Sequence, residues 1–309
     1  MSGHGLRLGV DLGGSKIAAA VLDADDQICA RRRMDTPRDD YAATIAAIGE
    51  LVGQLEQDMD ETGLSVGVGT PGSVLPDTGL IHNANSQCLN GKPLGGDLEA
   101  ALARPVRLAN DADCLALSEA YDGAGAGCDS VFAIILGTGV GAGIVINGQL
   151  VSGRNGLAGE WGHIQLPWAS AGEQRESPRC WCGLEGCLET WLSGPGMSAD
   201  YVRRGGKKLS AQEVVAAAKA GERLAGATFK AWLTRVSRAL GMVVNLLDPD
   251  IVVVGGGLSQ IEWLYSEVPK IWTRHVFTDS LATRISPAVH GDASGVLGAA
   301  RLWPLPDAP

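Results

Sequence analysis

Residues 6–23 read LRLGVDLGGSKIAAAVLD. An apolar run carries Asp11 near its end and stops at Gly13-Gly14, and a second apolar run follows at once. Strand, tight glycine turn and strand is the signature of a β-hairpin rather than of a strand feeding a helix. The pattern returns about 126 residues later in SVFAIILGTGVGAGIVINGQL, residues 130–150. A repeat of this kind predicts two similarly built halves with a cleft between them.

The chain outward from these hairpins alternates helical and strand patterns. Residues 39–60 place Ile45, Ile48, Leu51, Val52 and Leu55 on one helical side. LSVGVG (64–69) reads as a strand, GGDLEAALA as a short helix and VRLAN as a strand. DADCLALSEAY then reads as a helix with Asp111 and Asp113 in its first turn. Residues 223–247 predict a long helix that stops at Asp248-Pro249. DIVVVGGGLS is a strand running into three glycines, with helices near 260–275 and from Gly295 to Trp303. Strands alternating with helices predict an α/β fold.

The 309 residues suit one large domain or two ordinary ones, and 45% hydrophobic against 19% charged residues is enough for a sizeable core. The net charge of −10 argues against a nucleic-acid partner, since no basic stripe exists to displace counterions. Arg31-Arg32-Arg33 reads as the exposed face of a strand. No apolar stretch reaches the roughly 20 residues that span a bilayer, so no membrane partner is expected. The N-terminus lacks the parts of a secretory signal, which makes a cytoplasmic protein the expectation. Cys29, Cys88, Cys114 and Cys128 lie singly and are expected to be buried, reduced thiols.

The other three cysteines are clustered. Cys180, Cys182 and Cys187 form C-x-C-x4-C, with Glu160-x-x-His163 upstream and Glu189 just downstream. Zinc takes four nitrogen or sulfur ligands in a tetrahedron, and His163, Cys180, Cys182 and Cys187 supply a Cys3His set. Four protein ligands leave no open position, so the expected zinc is structural. Gly183 and Gly186 suit a tight knuckle between the ligands. The metal would pin the segment and so fix the carboxylates Glu160 and Glu189 near its two ends.

Three glycine-rich loops follow strands: Gly13-Gly14, Gly137 to Gly143 and Gly255 to Gly257. Such loops turn backbone N–H groups onto an anion, although each alone reads more readily as a tight turn than as a phosphate site. No Walker A sequence is present, and GVGTPG (67–72) matches G-x-G-x-x-G only formally, because Pro71 interrupts it. Asp11, Lys16 and Thr138 beside the loops favour phosphate. Asp111 follows the strand VRLAN, where an aspartate serves either as a helix cap or as a base projecting into a cleft.

VDLGGSK, GTPGS, LANDADC, LGTGVGAGIVINGQLVSGRNGLAGEWGH and CWCGLEGCLE, in this order, resemble the ROK family of sugar kinases and related repressors. The resemblance runs from about Leu6 to about Trp303. TPRDDY, HNANSQCLNGKPL, GEWGHIQLPW and HGDASGVLGAARLWP resemble its bacterial fructokinase branch, and the insert PWASAGEQRES between His163 and Cys180 fits that branch. The resemblance implies an actin-like (ribonuclease H-like) ATPase fold, two lobes around a cleft. Residues 1–120 would form one lobe and 121–291 the zinc-bearing other, with a C-terminal helix over about 292–309 packing back on the first.

It also implies ATP-dependent phosphorylation of a hexose, D-fructose at its 6-hydroxyl first, with glucose, mannose or an N-acetylated hexosamine as alternatives. By resemblance Asp111 is the general base and Asn110 binds a neighbouring hydroxyl, leaving Asp113 a plain first-turn charge. Gly72, Ser73, Asn85, Glu160, His163 and Glu189 would contact the sugar. Asp11 would meet Mg²⁺ through water. Gly13, Gly14, Lys16, Thr138 and Gly139 would hold the phosphates, and Gly255 and Gly256 would lie against the adenosine. The same four residues would bind zinc, and a homodimer is implied. A repressor would need an N-terminal helix-turn-helix, for which the ten residues before Asp11 are too few. A non-catalytic sugar sensor is disfavoured by the intact set of Asp11, Asp111 and Thr138.

Overall fold

A computed structural model describes residues 5–304. The last five residues of the expected C-terminal segment lie outside the described residues. The chain divides into two compact units, one from residues 5–121, 149–158 and 292–304, the other from 122–148 and 159–291.

The first unit opens with the hairpin of β1 (Arg7–Leu12) and β2 (Lys16–Leu22), closed by Gly13 N–H donating to the Lys16 carbonyl at 3.0 Å. Next come β3 (Ile28–Asp35), helix α1 (Tyr41–Met59), β4 (Ser65–Thr70) and the small hairpin β5 (Ser73–Val74) with β6 (Ile81–His82). Helix α2 (Leu94–Leu102), β7 (Val106–Asn110) and helix α3 (Asp111–Tyr121) follow. The sheet order is β3-β2-β1-β4-β7, antiparallel through β1–β2–β3 and parallel across β1–β4–β7.

Period-two alternation gives this sheet two buried faces. Leu8, Val10 and Leu12 share a core with Ile48, Leu51, Val52 and Leu55 of α1. The residues between them face the C-terminal helix Ser294–Ala300. That helix comes in close enough that a Cβ at Gly67 of β4 would stand 1.8 Å from the Ala299 carbonyl oxygen, so only glycine fits there. Helix α1 starts where Asp40 accepts from Ala43 N–H and stops at Asp60 in the left-handed conformation.

The second unit repeats the plan. Strand β8 (Ser130–Leu136) turns into antiparallel β9 (Val140–Ile146). The two-residue strand β10 (Gln149–Leu150) belongs to the first unit and packs on α3. Helices α4 (Ala171–Arg175), α5 (Leu188–Leu192), α6 (Gly194–Arg203), α7 (Ala211–Lys219) and α8 (Arg223–Leu247) precede β11 (Ile251–Gly255). Helix α9 (Glu262–Trp272) and β12 (Arg284–Pro287) complete the unit. Strands β8, β11 and β12 are parallel, in the order β9-β8-β11-β12. A hairpin whose first strand is extended by parallel strands, used twice, is the sheet of the actin-like ATPase fold.

Trp191, Trp232 and Trp272 are fully buried in the second core, and the Trp232 indole donates to the Leu192 carbonyl at 2.9 Å. Glu173 of α4 joins Arg235 and Arg238 of α8 at 2.8 and 2.7 Å, and Asp200 of α6 joins Arg235 at 2.7 Å. These buried pairs fix how the short helices sit on α8.

The single cysteines differ from expectation. Only Cys114 is buried; Cys88 and Cys128 are half-buried and Cys29 is exposed. Cys29 lies on edge strand β3, whose outer positions also carry Arg31, Arg32 and Arg33 in the open. Among the described residues, no helix is long and apolar enough to cross a membrane.

Candidate active site

In the first unit, Asp11 lies on β1 opposite Gly69 of β4, and Asn110 ends β7 opposite Thr70. Asp111 follows as the first residue of α3. With strands about 4.8 Å apart, both carboxylates stand at the carboxyl edge of one sheet, where α/β sheets bind their ligands. Their charges interact. Burial, then the neighbouring Asp111 and Asp292, push the Asp11 carboxyl up to about 6, with Arg31 acting in the opposite sense. The Asp11 carboxyl also rests against the C-terminal helix. A Cβ at Gly295 would lie 2.6 Å from Asp11 Cγ, so glycine alone leaves that carboxyl in place.

Asn110 is a strut as well as a polar side chain. Its Nδ2 donates to the Gly72 carbonyl at 2.9 Å, and its Oδ1 accepts from Ala112 N–H at 2.8 Å. Asp111 Oδ1 accepts from the same N–H at 2.8 Å. One amide hydrogen of Asn110 is left to meet a hydroxyl. Gly72 lies against the backbone of His82 and Ala84, just ahead of the exposed Asn85, and Ser73 is buried on β5. Thr36 Oγ1 donates to the Gly13 carbonyl at 2.7 Å and steadies the β1–β2 turn, where Gly14, Ser15 and Lys16 are exposed. A cavity of about 310 Å³ brings Gly14, Ser15, Thr36, Arg38, Asn85 and Ser86 together.

In the second unit, the ligand atoms of His163, Cys180, Cys182 and Cys187 all lie within 4.8 Å of one another. Cys182 Sγ is 3.6 Å from Cys187 Sγ, and Cys180 Sγ is 3.6 Å from His163 Nδ1. Zinc bonds of about 2.0–2.3 Å at the tetrahedral angle require edges of this length. Burial pushes the Cys187 thiol up to about 12, and its neighbours Cys182 and Cys180 add to the rise. Three thiols brought this close therefore suit a cation that stabilises them as thiolates. Backbone bonds hold the knuckle shut: Cys180 N–H to the Leu184 carbonyl at 2.8 Å, and Gly186 N–H to the Pro178 carbonyl at 2.8 Å.

Glu160 precedes the single helical turn Trp161–His163, so it is linked directly to the ligand His163. Glu189 lies in the first turn of α5, which starts at Cys187. Its Oε2 accepts from Val140 N–H at 3.0 Å, and its Oε1 accepts from the Trp181 indole at 2.7 Å. Glu189 is thus tied to the β8–β9 turn, where Gly139 is half-buried and Thr138 exposed. Gly255 ends β11, and Gly256 backs onto the Leu136 carbonyl.

The first unit therefore gathers Asp11, Gly72, Asn110 and Asp111, and separately Gly14 with Asn85. The second gathers the Cys3His cluster, and near it in the chain or by contact Glu160, Glu189, Thr138 and Gly139. Sequence reasoning missed Gly295, whose contact with Asp11 spans most of the chain. It also missed Trp181, whose one signal was an aromatic residue between two clustered cysteines.

Residues 7–305 match the ROK family. An N-acetyl-D-glucosamine kinase of Yersinia enterocolitica is 39% identical over 297 residues, covering 95% of this chain and 98% of that one. The N-acetyl-D-glucosamine kinase of Escherichia coli K12 is 40% identical over the same span and coverage. Among solved structures, a ROK hexokinase from Thermus thermophilus has a TM-score of 0.85 and 31% identity over 96% of each chain. A ROK family glucokinase from Streptomyces griseus, in complex with glucose and AMPPNP, has a TM-score of 0.78 and 30% identity over 96% of this chain and 99% of that one. The chain therefore belongs to the ROK family, among its sugar kinases.

Proposed function

We propose that this protein transfers the γ-phosphoryl group of ATP to the 6-hydroxyl of a hexose or N-acetylhexosamine, with N-acetyl-D-glucosamine the first substrate to test. The observation that carries the chemistry is the electrostatically coupled pair Asp11 and Asp111 at the carboxyl edge of the first sheet. Phosphoryl transfer needs positioning, charge neutralisation and a group to take the hydroxyl proton. Asp111 accepts that proton as the sugar oxygen attacks γ-phosphorus and the bond to the ADP oxygen breaks. Asn110, fixed by Gly72 and Ala112, presents its remaining amide hydrogen to an adjacent hydroxyl.

Asp11 offers the oxygen donor a hard cation prefers, and Mg²⁺ there would neutralise phosphate charge. The glycine turns after β1, β8 and β11 supply backbone to the nucleotide: Gly13, Gly14 and Lys16, then Thr138 and Gly139 for phosphates, and Gly255 and Gly256 for adenosine. Gly72, Ser73 and Asn85 of the first unit, and Glu160, His163 and Glu189 of the second, are the proposed sugar contacts. His163 serves metal and sugar at once, Nδ1 toward the thiolates and Nε2 toward a hydroxyl. The thiol spacings support a structural zinc on His163, Cys180, Cys182 and Cys187.

The choice of sugar rests on the relatives. The two named above at 39% and 40% identity are N-acetyl-D-glucosamine kinases, which favours the acetylated alternative. D-fructose, expected from the branch motifs, has no support among them. ADP release with Mg²⁺ and ATP, measured across N-acetylglucosamine, N-acetylmannosamine, glucose, mannose and fructose, decides the matter. N-acetylglucosamine should give the highest kcat/KM, and Asp111→Ala should bring it near background. Turnover led by fructose would return the substrate to the motif reading, and no turnover of any sugar would sink the kinase reading.

A further inference from the structure

The C-x-C loop carries one side chain that metal binding does not require. Trp181 sits between Cys180 and Cys182 and is 58% exposed. Its only polar atom, Nε1, nevertheless meets Glu189 Oε1 at 2.7 Å, while the other carboxylate oxygen is held by Val140 N–H. The ring stands edge-on to His163, with centroids 4.9 Å apart and planes at 89°. An indole can donate but not accept, so Glu189 Oε1 is the acceptor in this contact.

Both chain neighbours of Trp181 are members of the Cys3His cluster, so the position of the loop follows that of the ligands. A tryptophan side chain has two torsions and a rigid plane, and the edge contact with His163 restricts them further. Glu189 is therefore clamped from two sides, by the β8–β9 turn and by the metal loop. We infer that Trp181 is a positioning residue, which passes the fixed geometry of the cysteine loop to the Glu189 carboxylate and aims its unused lone pairs at a sugar hydroxyl. The inference rests on the reading of Glu189 as a sugar acceptor.

Trp181→Phe keeps an aromatic ring beside His163 and removes only the indole N–H. The test compares the parent, Trp181→Phe, Glu189→Gln and the double variant. The readouts are the Kd of the fastest panel sugar by calorimetry without nucleotide, KM for sugar and for ATP, and bound zinc by elemental analysis. Trp181→Phe should weaken sugar binding about tenfold and raise the sugar KM in step, with the ATP KM and zinc content unchanged. The double variant should be no worse than Glu189→Gln, because the two residues act through one carboxylate. If Glu189→Gln weakens sugar binding and Trp181→Phe does not, the inference fails while the reading of the site survives. Loss of zinc in Trp181→Phe would make the residue part of the metal loop's own stability and would also overturn it. If Glu189→Gln leaves sugar binding intact, the role of Glu189 falls, and that of Trp181 with it.

Discussion

Asp11→Asn should stabilise the ligand-free protein while abolishing its turnover. The Asp11 carboxyl is pushed from 3.8 up to about 6 by burial and by its neighbours Asp111 and Asp292. Below pH 3.8 it is protonated in both the folded and the unfolded chain, and carries no penalty. Between 3.8 and 6 the unfolded chain ionises while the folded one keeps its proton, so stability falls as pH rises. Above 6 the deficit is constant. At 1.36 kcal/mol per pH unit the gap amounts to about 3 kcal/mol. Asparagine has nearly the same shape and no charge, so the variant escapes the deficit. Urea unfolding of metal- and nucleotide-free protein from pH 4 to 8 reads this, because titrating groups that do not interact with Asp11 cancel in the difference. The variant should match the parent near pH 4 and exceed it by up to about 3 kcal/mol at pH 8. Asp111→Asn should reproduce part of the gain by removing the largest charged neighbour. A difference that stays flat from pH 4 to 8, or a parent that is the more stable at pH 8, would refute the reasoning.

Other perturbations separate chemistry from scaffold. Asp111→Ala should lower kcat by about 10²–10⁴ and leave the calorimetric affinity for ATP nearly unchanged. Gly295→Ala drives a methyl group onto the Asp11 carboxyl; overpacking of this kind costs about 1–3 kcal/mol, and the activity loss should exceed the loss in melting temperature. Glu173→Ala strips Arg238 and part of Arg235 of their buried partner and should destabilise by about 3–5 kcal/mol in chemical denaturation. The two arginines hold the Glu173 carboxyl down to about 2, so the stability it contributes is present above pH 4.5 and is lost as pH falls toward 2. Chelation of zinc should raise the sugar KM more than the ATP KM, measured in parallel on the stripped and reconstituted protein.

What could be read from the chain beforehand follows from how far each signal reaches along it. The β1–β2 and β8–β9 hairpins were legible because two apolar runs and the glycines between them fall within about twenty residues. The Cys3His cluster was legible because its ligands span 163 to 187 and their chemistry admits few alternatives. Helix α8 was legible from its periodicity and its stop at Asp248-Pro249. The contacts that set the geometry of the candidate site have no such local trace. Gly295 meets Asp11 across nearly the whole chain, and a glycine inside a helix looks the same whether or not a carboxylate lies against it. Asn110 was read as a sugar ligand, but its tie to Gly72 depends on β4 and β7 being neighbours, which no stretch of sequence states.

The same contrast explains how the second unit is built. A carboxylate that must orient a polyol cannot rely on burial, because the sugar has to reach it. Glu189 is half-exposed and sits in a five-residue helix, too short to hold a side chain in one pose by its own cooperativity. Its rigidity therefore has to be imported. The β8–β9 turn supplies one backbone donor at 3.0 Å and the cysteine loop supplies an indole at 2.7 Å. A loop as open as residues 181–185 can carry that donor only if something other than a hydrophobic core keeps its shape. Four potential ligand atoms within 4.8 Å of one another would meet that need by holding a metal, because metal coordination gives a small segment order that apolar burial cannot. Under the proposed roles, a metal on these four residues would stand beside the sugar-binding carboxylate because that is where an exposed carboxylate needs a fixed donor, and loss of that metal should disturb Glu189 before it disturbs the fold.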